Sequence, residues 1–412
     1  MTHTAPTSQN TGDLLTCIAA QLADPTIIDQ SSGERTRPAS LAGGAAGIAL
    51  LHLERAISGN GDEAVAHRWV QAAATGGVSA GPNANLFHGT PTLALLLHTA
   101  TTTLGGYQRA ATALTERTIA LTRERLTAAT ARLDAGQPLP MREFDLVHGL
   151  TGYGVYHLRR HPDHPITRDV ITYLNRLTEP LTDRPDRPPW WLDSGLAGTP
   201  DPRFPNGHGN LGVAHGISAV IALLALAIRT GQHPPGTIEA LAHLCSWTDQ
   251  HRQPDSSSRA YWWPQYVTDP PNPAPSRHRP SWCYGTAGTA RAQQLAGLAL
   301  HDTVRQEHAE TAMLAAIREP AWRTLLPEPG LCHGKAGLLQ AAWRTAITSN
   351  SHTAAQLNRH IPDLADDLAR QLATTPPDTP ELMNGTAGAV LALHTAHTDT
   401  CHTDWDAFLL LS

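Results

Sequence analysis

Two cysteines and a histidine carry the clearest chemical signal in the sequence, because each cysteine lies the same distance before a glycine. Cys283 stands two residues before Gly285, and Cys332 stands two residues before Gly334. If the two segments are neighbouring units of one repeat, both thiols lie at the same end of it, with His333 beside them. Two thiolates and an imidazole form a zinc ligand set that leaves one position open. The pattern therefore predicts an open zinc site.

The other reading of Cys283 and Cys332 is that they are small buried apolar residues, which is a common role of free cysteine. The shared spacing and the adjacent His333 favour metal binding. Cys17, Cys245 and Cys401 have neither feature, so we interpret them as structural. Five cysteines in 412 residues also argue against a disulfide framework.

Glycine turns followed by apolar runs recur along the whole chain, and each predicts the start of a helix. Runs such as Ile48-Ala-Leu-Leu-His-Leu are apolar on nearly all faces, as expected of helices that line an inner ring. Glycine lets the chain turn tightly and lets neighbouring backbones approach closely. The seven turns begin at Gly44, Gly89, Gly149, Gly216, Gly285, Gly334 and Gly385.

More amphipathic stretches lie between these runs, for example 111–132 and 357–372, and would form an outer ring. The fold class predicted is therefore all-α, an α/α toroid of seven inner and seven outer helices, with residues 1–412 as one domain. The aromatic content of 5% and the frequent alanine and leucine agree with helices rather than sheets.

Two proline-rich segments interrupt the rhythm and predict extended insertions. They are residues 182–206, with Trp190 and Trp191, and residues 248–280, with Trp262 and Trp263. Proline at this density is incompatible with a helix interior. Such aromatic, proline-rich surface suits peptide binding, and ordered loops without a binding role are the alternative.

The overall composition excludes some classes of function. The net charge is −6 and Lys335 is the only lysine, so the basic stripe that nucleic acid requires is absent. The N-terminus lacks the pattern of a signal peptide, which predicts a cytoplasmic protein. The uncharged run 217–228 raises the question of a membrane span, but we expect a helix buried within the protein.

Three motifs of the chain are Trp-Cys-Tyr-Gly around Cys283, Cys-His-Gly from Cys332 and Ala-His-Gly around His215. In combination, these three motifs resemble those of the lanthionine synthetase C-like family. Its best-known members are the cyclases of class I lanthipeptides such as nisin. The resemblance covers nearly the whole chain and implies an α/α toroid with Zn²⁺ at one mouth, held by Cys283, Cys332 and His333. No dehydratase or kinase-like region precedes the repeats, which resembles the stand-alone cyclases.

The resemblance also implies residues for acid and base chemistry. When a thiolate adds to dehydroalanine or dehydrobutyrine, the resulting enolate must be protonated at the α-carbon. His215 matches the histidine that the family uses as acid and base, and Asp145 matches an acidic residue beside it. Arg279 matches an arginine that could stabilise the enolate oxygen, and Tyr284 follows the pattern as a hydrogen-bond donor near the metal.

His215, Asp145 and Arg279 also have purely structural interpretations. His88 and His148 share the position of His215 before a glycine, so spacing alone fits a structural histidine equally well. Asp145 could be a helix cap and Arg279 a solvated surface residue. His208 is ambiguous, and we do not interpret it as a ligand.

The function implied is that of a zinc-dependent cyclase that forms lanthionine and methyllanthionine rings in a dehydrated precursor peptide with a leader. A separate dehydratase and an exporter are the expected partners, in a complex that could associate peripherally with the membrane. The alternatives are an enzyme that adds glutathione or a similar thiol intermolecularly, and a scaffold that binds the precursor without catalysis. A toroidal zinc prenyltransferase would require an aspartate among its ligands, so the Cys-Cys-His set disfavours it.

Overall fold

The computed structural model describes residues 8–28, 37–180, 187–195, 198–255, 258–273, 275–320 and 324–412. Helices dominate these residues, so the predicted all-α class is confirmed. Short 3-10 helices cover Pro25–Ile28 and Trp405–Leu409. The α-helices are α1 (Ser8–Gln21), α2 (Ala45–Ile57), α3 (Glu63–Ala73), α4 (Thr90–Leu104), α5 (Gln108–Asp134), α6 (Met141–Phe144), α7 (Leu150–Arg160), α8 (Pro165–Arg176), α9 (Ile217–Arg229), α10 (Thr237–His251), α11 (Thr286–Leu300), α12 (Thr303–Arg318), α13 (Lys335–Thr348), α14 (His352–Thr374) and α15 (Thr386–Thr398).

The chain divides into two compact units, each built around apolar helices. The first unit comprises Met1–Thr118 and Glu319–Asp406, and the second comprises Ile119–Arg318 and Ala407–Ser412. In the first, α2 packs against α4 and α15, α13 packs against α15, and α3 and α14 cover α2 and α13. In the second, α9 packs between α7 and α11, while α8, α10 and α12 cover these three helices.

The glycine turns mark the starts of the apolar helices, as predicted. Each of the seven glycines is the N-cap of its helix, namely of α2, α4, α7, α9, α11, α13 and α15. Only Gly89 among these caps has a left-handed backbone, with φ of 83°. Glycine is required at positions 285 and 334 because there is no space for a side chain. A Cβ at these positions would collide with the carbonyl oxygens of Arg279 and Glu328, respectively. Close backbone approach therefore explains these two glycines.

The structure contains both predicted kinds of helix, those that are apolar on nearly all faces and those that are amphipathic. Residues 217–225 of α9 are all buried, whereas α14 buries one stripe that includes Leu357, Ile361, Leu364 and Leu368. Helix α5 differs in detail from expectation, because Leu114, Ile119 and Leu126 are only half-buried and its buried positions include Thr115, Thr118 and Thr122.

The two proline-rich segments form turns and short strands where the structure describes them. Residues 182–186, 196–197, 256–257 and 274 of these segments lie outside the described residues. The second segment begins later than predicted, because residues 248–251 complete α10. Strands β1 (His208–Asn210) and β4 (Tyr266–Thr268) pair antiparallel with Gly209 opposite Val267, and β2 (Gln253–Pro254) pairs with β3 (Tyr261–Trp262). The proposed role of these segments in peptide binding stays a prediction.

The apolar run 217–228 is the core of α9, a helix of 13 residues buried along most of its length. Within the described part of the chain, no helix has the length and apolar character needed to cross a bilayer.

Candidate functional site

The centre of the candidate site in the second unit is the carboxylate of Asp145, which is fully buried between α6 and α7. Its Oδ1 accepts hydrogen bonds from the backbone N–H groups of His148 and Gly149, both at 2.7 Å. Its Oδ2 lies 2.6 Å from Nδ1 of His215 and 3.2 Å from Nδ1 of His148. One oxygen of Asp145 therefore holds the turn that leads to Gly149, the N-cap of α7, and the other contacts two imidazoles. The catalytic role of Asp145 stays a prediction.

The charge of this carboxylate fixes the hydrogen positions on the two histidines. Burial alone would raise the pKa of Asp145, but the hydrogen bonds from His148 and His215 outweigh it and lower the pKa. An ionised carboxylate only accepts hydrogen bonds, so Nδ1 of each imidazole donates to it. In the neutral ring, the Nε2 atom of His215 then carries the lone pair and can take up or deliver a proton.

The loop that carries His215 is tied to the backbone of Cys283. The N–H groups of Val213 and Ala214 donate to the Cys283 carbonyl oxygen at 2.8 and 3.1 Å. The Cys283 side chain is only 4% exposed, and its Sγ lies 3.6 Å from Oγ of Ser281. These two backbone bonds fix His215 relative to the turn that holds Cys283.

Tyr284 belongs to the same neighbourhood. Its ring centroid lies 6.2 Å from that of His215 and 5.9 Å from that of Tyr266. Burial, with the nearby Tyr266, raises the pKa of Tyr284 well above its usual range. The hydroxyl therefore stays protonated and can act as a donor.

Arg279 is half-buried, and its carbonyl oxygen accepts a hydrogen bond from the N–H of Ser281 at 2.8 Å. Within the described ranges, its guanidinium forms no hydrogen bond or ion pair with Asp145, His215 or Tyr284. Its role at an enolate oxygen stays a prediction.

Cys332 and His333 lie in the first unit, in the turn capped by Gly334 at the start of α13. The N–H of Cys332 donates to the Met383 carbonyl oxygen at 2.8 Å. The Nε2 atom of His333 lies 2.7 Å from Oε2 of Glu328. Cys283 holds the same place before Gly285, the N-cap of α11 in the second unit. The joint binding of one metal by Cys283, Cys332 and His333 stays a prediction.

The remaining cysteines and His208 have no part in this arrangement. None of the five cysteines, which all lie in the described part of the chain, forms a disulfide, and burial raises the pKa of Cys245 to about 12. His208 is buried and stacks on Phe204 with ring centroids 4.0 Å apart, and burial lowers its pKa to about 4. His208 is therefore a neutral part of an aromatic cluster.

Two residues in contact with the predicted set were not selected from sequence. His148 stacks on His215 with ring centroids 5.6 Å apart, and its only signal was its position one residue before a glycine. Glu328 contacts His333, and its signal is the surrounding Pro-Glu-Pro run.

Comparison with known proteins agrees with the sequence motifs. The family described as lanthionine synthetase C-like protein matches residues 36–410. The chain belongs to the lanthionine synthetase C-like family. No curated protein sequence matches the chain. Among solved structures, nisin cyclase is similar over 98% of this chain and 97% of its own, with a TM-score of 0.78 and 17% sequence identity. The chain therefore shares the fold of nisin cyclase, and the predicted helical toroid class is confirmed by this likeness.

Proposed function

We propose that this member of the family is a zinc-dependent lanthipeptide cyclase. It adds cysteine thiolates of a precursor peptide to dehydroalanine or dehydrobutyrine residues of the same peptide and so forms lanthionine and methyllanthionine rings. Family membership over residues 36–410 and the fold of nisin cyclase support a lanthionine-forming enzyme. The single observation that carries the mechanism is the contact between buried Asp145 and His215, beside the turn of Cys283.

Cys283, Cys332 and His333 are the candidate ligands of Zn²⁺. Their chemistry fits the ion, because thiolate and imidazole are ligands that zinc prefers and three of them leave a fourth position open. Each of the two cysteines lies two residues before the glycine that caps the start of a helix. Bound zinc would lower the pKa of a coordinated substrate thiol from about 8.5 into the neutral range.

Side chains of the protein then transfer a proton to the product. Attack of the substrate thiolate on the β-carbon forms the C–S bond and places the negative charge on an enolate oxygen. His215, protonated at Nε2, delivers its proton to the α-carbon, and Asp145 stabilises the imidazolium through Nδ1. The proton lost by the thiol balances the proton gained by carbon, so no oxidant or reductant is required.

Two further side chains would stabilise the enolate. The Tyr284 hydroxyl, kept protonated by burial, donates a hydrogen bond near the reacting atoms. Arg279 would neutralise the charge that develops on the oxygen. A dehydratase must supply the substrate, because the reaction consumes dehydrated serine and threonine, and we place the enzyme in the cytoplasm with that dehydratase and an exporter.

The test is to count alkylatable thiols in a dehydrated precursor peptide after incubation with the purified protein. We expect the thiols to disappear without a change in peptide mass. With His215→Ala the rate should fall by roughly 10²- to 10⁴-fold. His67→Ala, which changes a half-buried histidine bonded to Tyr107, is the matched control and should leave the rate unchanged.

Persistence of the thiols at the level seen without enzyme would contradict the proposal. Repeating the reaction with added glutathione separates the intermolecular alternative, since glutathione adducts without ring formation would favour that activity instead.

A further inference from the structure

Glu328 is an acidic side chain in the first unit that contacts His333, one of the candidate zinc ligands, directly. Its Oε2 lies 2.7 Å from Nε2 of His333. Zinc-bound histidines usually donate their second ring N–H to a carboxylate or carbonyl, which fixes the ring and its tautomer. The contact therefore has the arrangement expected behind a metal-binding imidazole.

The backbone around Glu328 is held rigidly, so the position of its side chain is built into the fold. Pro327 and Pro329 flank it, which restricts the backbone of Glu328 to an extended conformation. The Glu328 carbonyl oxygen accepts from the N–H of Lys335 at 2.9 Å, and the Pro329 carbonyl oxygen accepts from Ala336 at 3.1 Å. On the other side, Nε2 of Gln371 donates to the Pro327 carbonyl oxygen at 2.6 Å.

The bonds from Lys335 and Ala336 join residues 328–329 to the start of α13, directly after His333, and the bond from Gln371 joins Pro327 to α14. Gly334 completes the junction, because a Cβ at that position would collide with the Glu328 carbonyl oxygen. Lys335 does not compete for the carboxylate, since its Nζ pairs with Asp367 at 2.9 Å. The fold thus places the carboxylate of Glu328 beside the imidazole of His333.

We propose that Glu328 is a positioning residue of the zinc site, which holds His333 with its proton on Nε2 and its lone pair on Nδ1 for the metal. This inference rests on the proposed function, because it requires His333 to bind zinc. The alternative is an ordinary surface ion pair, since the Glu328 side chain is 52% exposed and such pairs contribute little to stability. The two cases differ in what removal of the carboxylate changes.

The test measures zinc affinity, by competition with a chromogenic chelator, and the melting temperature of the zinc-free protein. Loss of a carboxylate that orients a ligand typically weakens metal binding by about 10- to 100-fold. We expect that loss for Glu328→Ala and a smaller one for Glu328→Gln, whose amide oxygen still accepts a hydrogen bond. Melting of the zinc-free variants should match that of the wild type.

The matched control is Asp363→Asn. Asp363 forms a similar contact with a histidine in the same unit, 3.8 Å from Nδ1 of His360, but on the exposed face of α14. The zinc affinity of the Asp363→Asn protein should equal that of the wild type. Glu328→Ala protein that binds zinc as tightly as the wild type overturns the inference, whether or not its melting temperature falls. Wild-type protein that binds no zinc contradicts the proposed function itself and removes the inference with it.

Discussion

Asp145 shows how one buried side chain serves both the fold and the proposed chemistry. Its Oδ1 accepts two backbone N–H groups at the start of α7, and its Oδ2 accepts the Nδ1 protons of His148 and His215. Because all four donors need an acceptor, the carboxylate stays ionised despite complete burial. It can then stabilise a positive charge on His215 without any movement of the backbone.

Asp145→Asn separates these two roles. The amide oxygen can still accept the N–H groups of His148 and Gly149, so the fold should persist. The amide nitrogen is a donor, however, so Nδ1 of His215 must become the acceptor and the wrong ring nitrogen keeps the proton. We expect ring formation to slow by at least about 100-fold, with the melting temperature lowered by only a few degrees.

Thiol consumption measured beside thermal melting checks this prediction. Asp145→Ala is the comparison variant, because it also removes the acceptor of the His148 and Gly149 N–H groups and should lose more stability, about 1–3 kcal/mol for buried donors left unsatisfied. An Asn variant with wild-type turnover would exclude the assigned role of Asp145.

For single residues, the sequence identified the candidate ligands and acid–base residues better than it identified the side chains that contact them. The positions of Cys283, Cys332, His333 and His215 before glycines were visible as spacing. The partners His148 and Glu328 were not selected, because their roles depend on how loops of different repeats pack. A histidine before a glycine occurs in several repeats, and only the three-dimensional contact with Asp145 distinguishes His148 from His88.

At the scale of the helix, the glycines that begin the inner helices reflect close packing. Gly288, in the first turn of α11, has the carbonyl oxygen of Trp282 and the side chain of Val213 where a Cβ would lie. These neighbours belong to the turn of Cys283 and to the loop of His215. The first turn of α11 is therefore packed directly against the candidate site.

Gly288→Ala should destabilise the protein by about 1–3 kcal/mol, because the added methyl group has no space and the backbone must shift. Gly81→Ala is the matched control, since a methyl group added at Gly81 would point into open space and the backbone there is not left-handed. Urea unfolding of the two variants and the wild type measures the change in the free energy of unfolding. Equal effects of the two substitutions would show that packing at Gly288 is loose.

Element boundaries could be predicted where one local signal determines them. All seven apolar helices begin at the glycines selected from sequence, because the missing side chain is required at each turn. The last turn of α10, residues 248–251, and the paired strands β1 to β4 were not predicted. Strand pairs of two or three residues depend on contacts with distant segments, such as β1 with β4, and leave no periodic pattern.

Across the whole molecule, histidines buried in the neutral form make stability depend on pH. Burial lowers the pKa of His52, His208 and His394 to about 4 and that of His157 to about 3. Their unfolded pKa is near 6.5, so the unfolded chain binds protons that the folded chain does not. This stabilisation is complete above about pH 6.5 and is lost as the pH falls toward 4.

We expect the free energy of unfolding to be lower at pH 5 than at pH 7.5 by several kcal/mol, since each group contributes roughly 2 kcal/mol over this interval. Urea unfolding at the two pH values measures it. His208→Phe, which keeps an aromatic ring against Phe204, should reduce the difference. Stability that is equal or higher at pH 5 would contradict the neutral state of these histidines.

In the proposed function, Cys283, Cys332 and His333 together bind one zinc ion that prepares a peptide thiol for attack. Zinc content after loading and removal of excess metal tests it most directly, in the wild type, in Cys283→Ala and in Cys245→Ala, which changes a buried cysteine outside the set. We predict about one zinc per chain in the wild type and in Cys245→Ala, and a strongly reduced content in folded Cys283→Ala. A wild-type protein that retains no zinc, or a Cys283→Ala protein that retains as much as the wild type, would contradict zinc binding by these three residues.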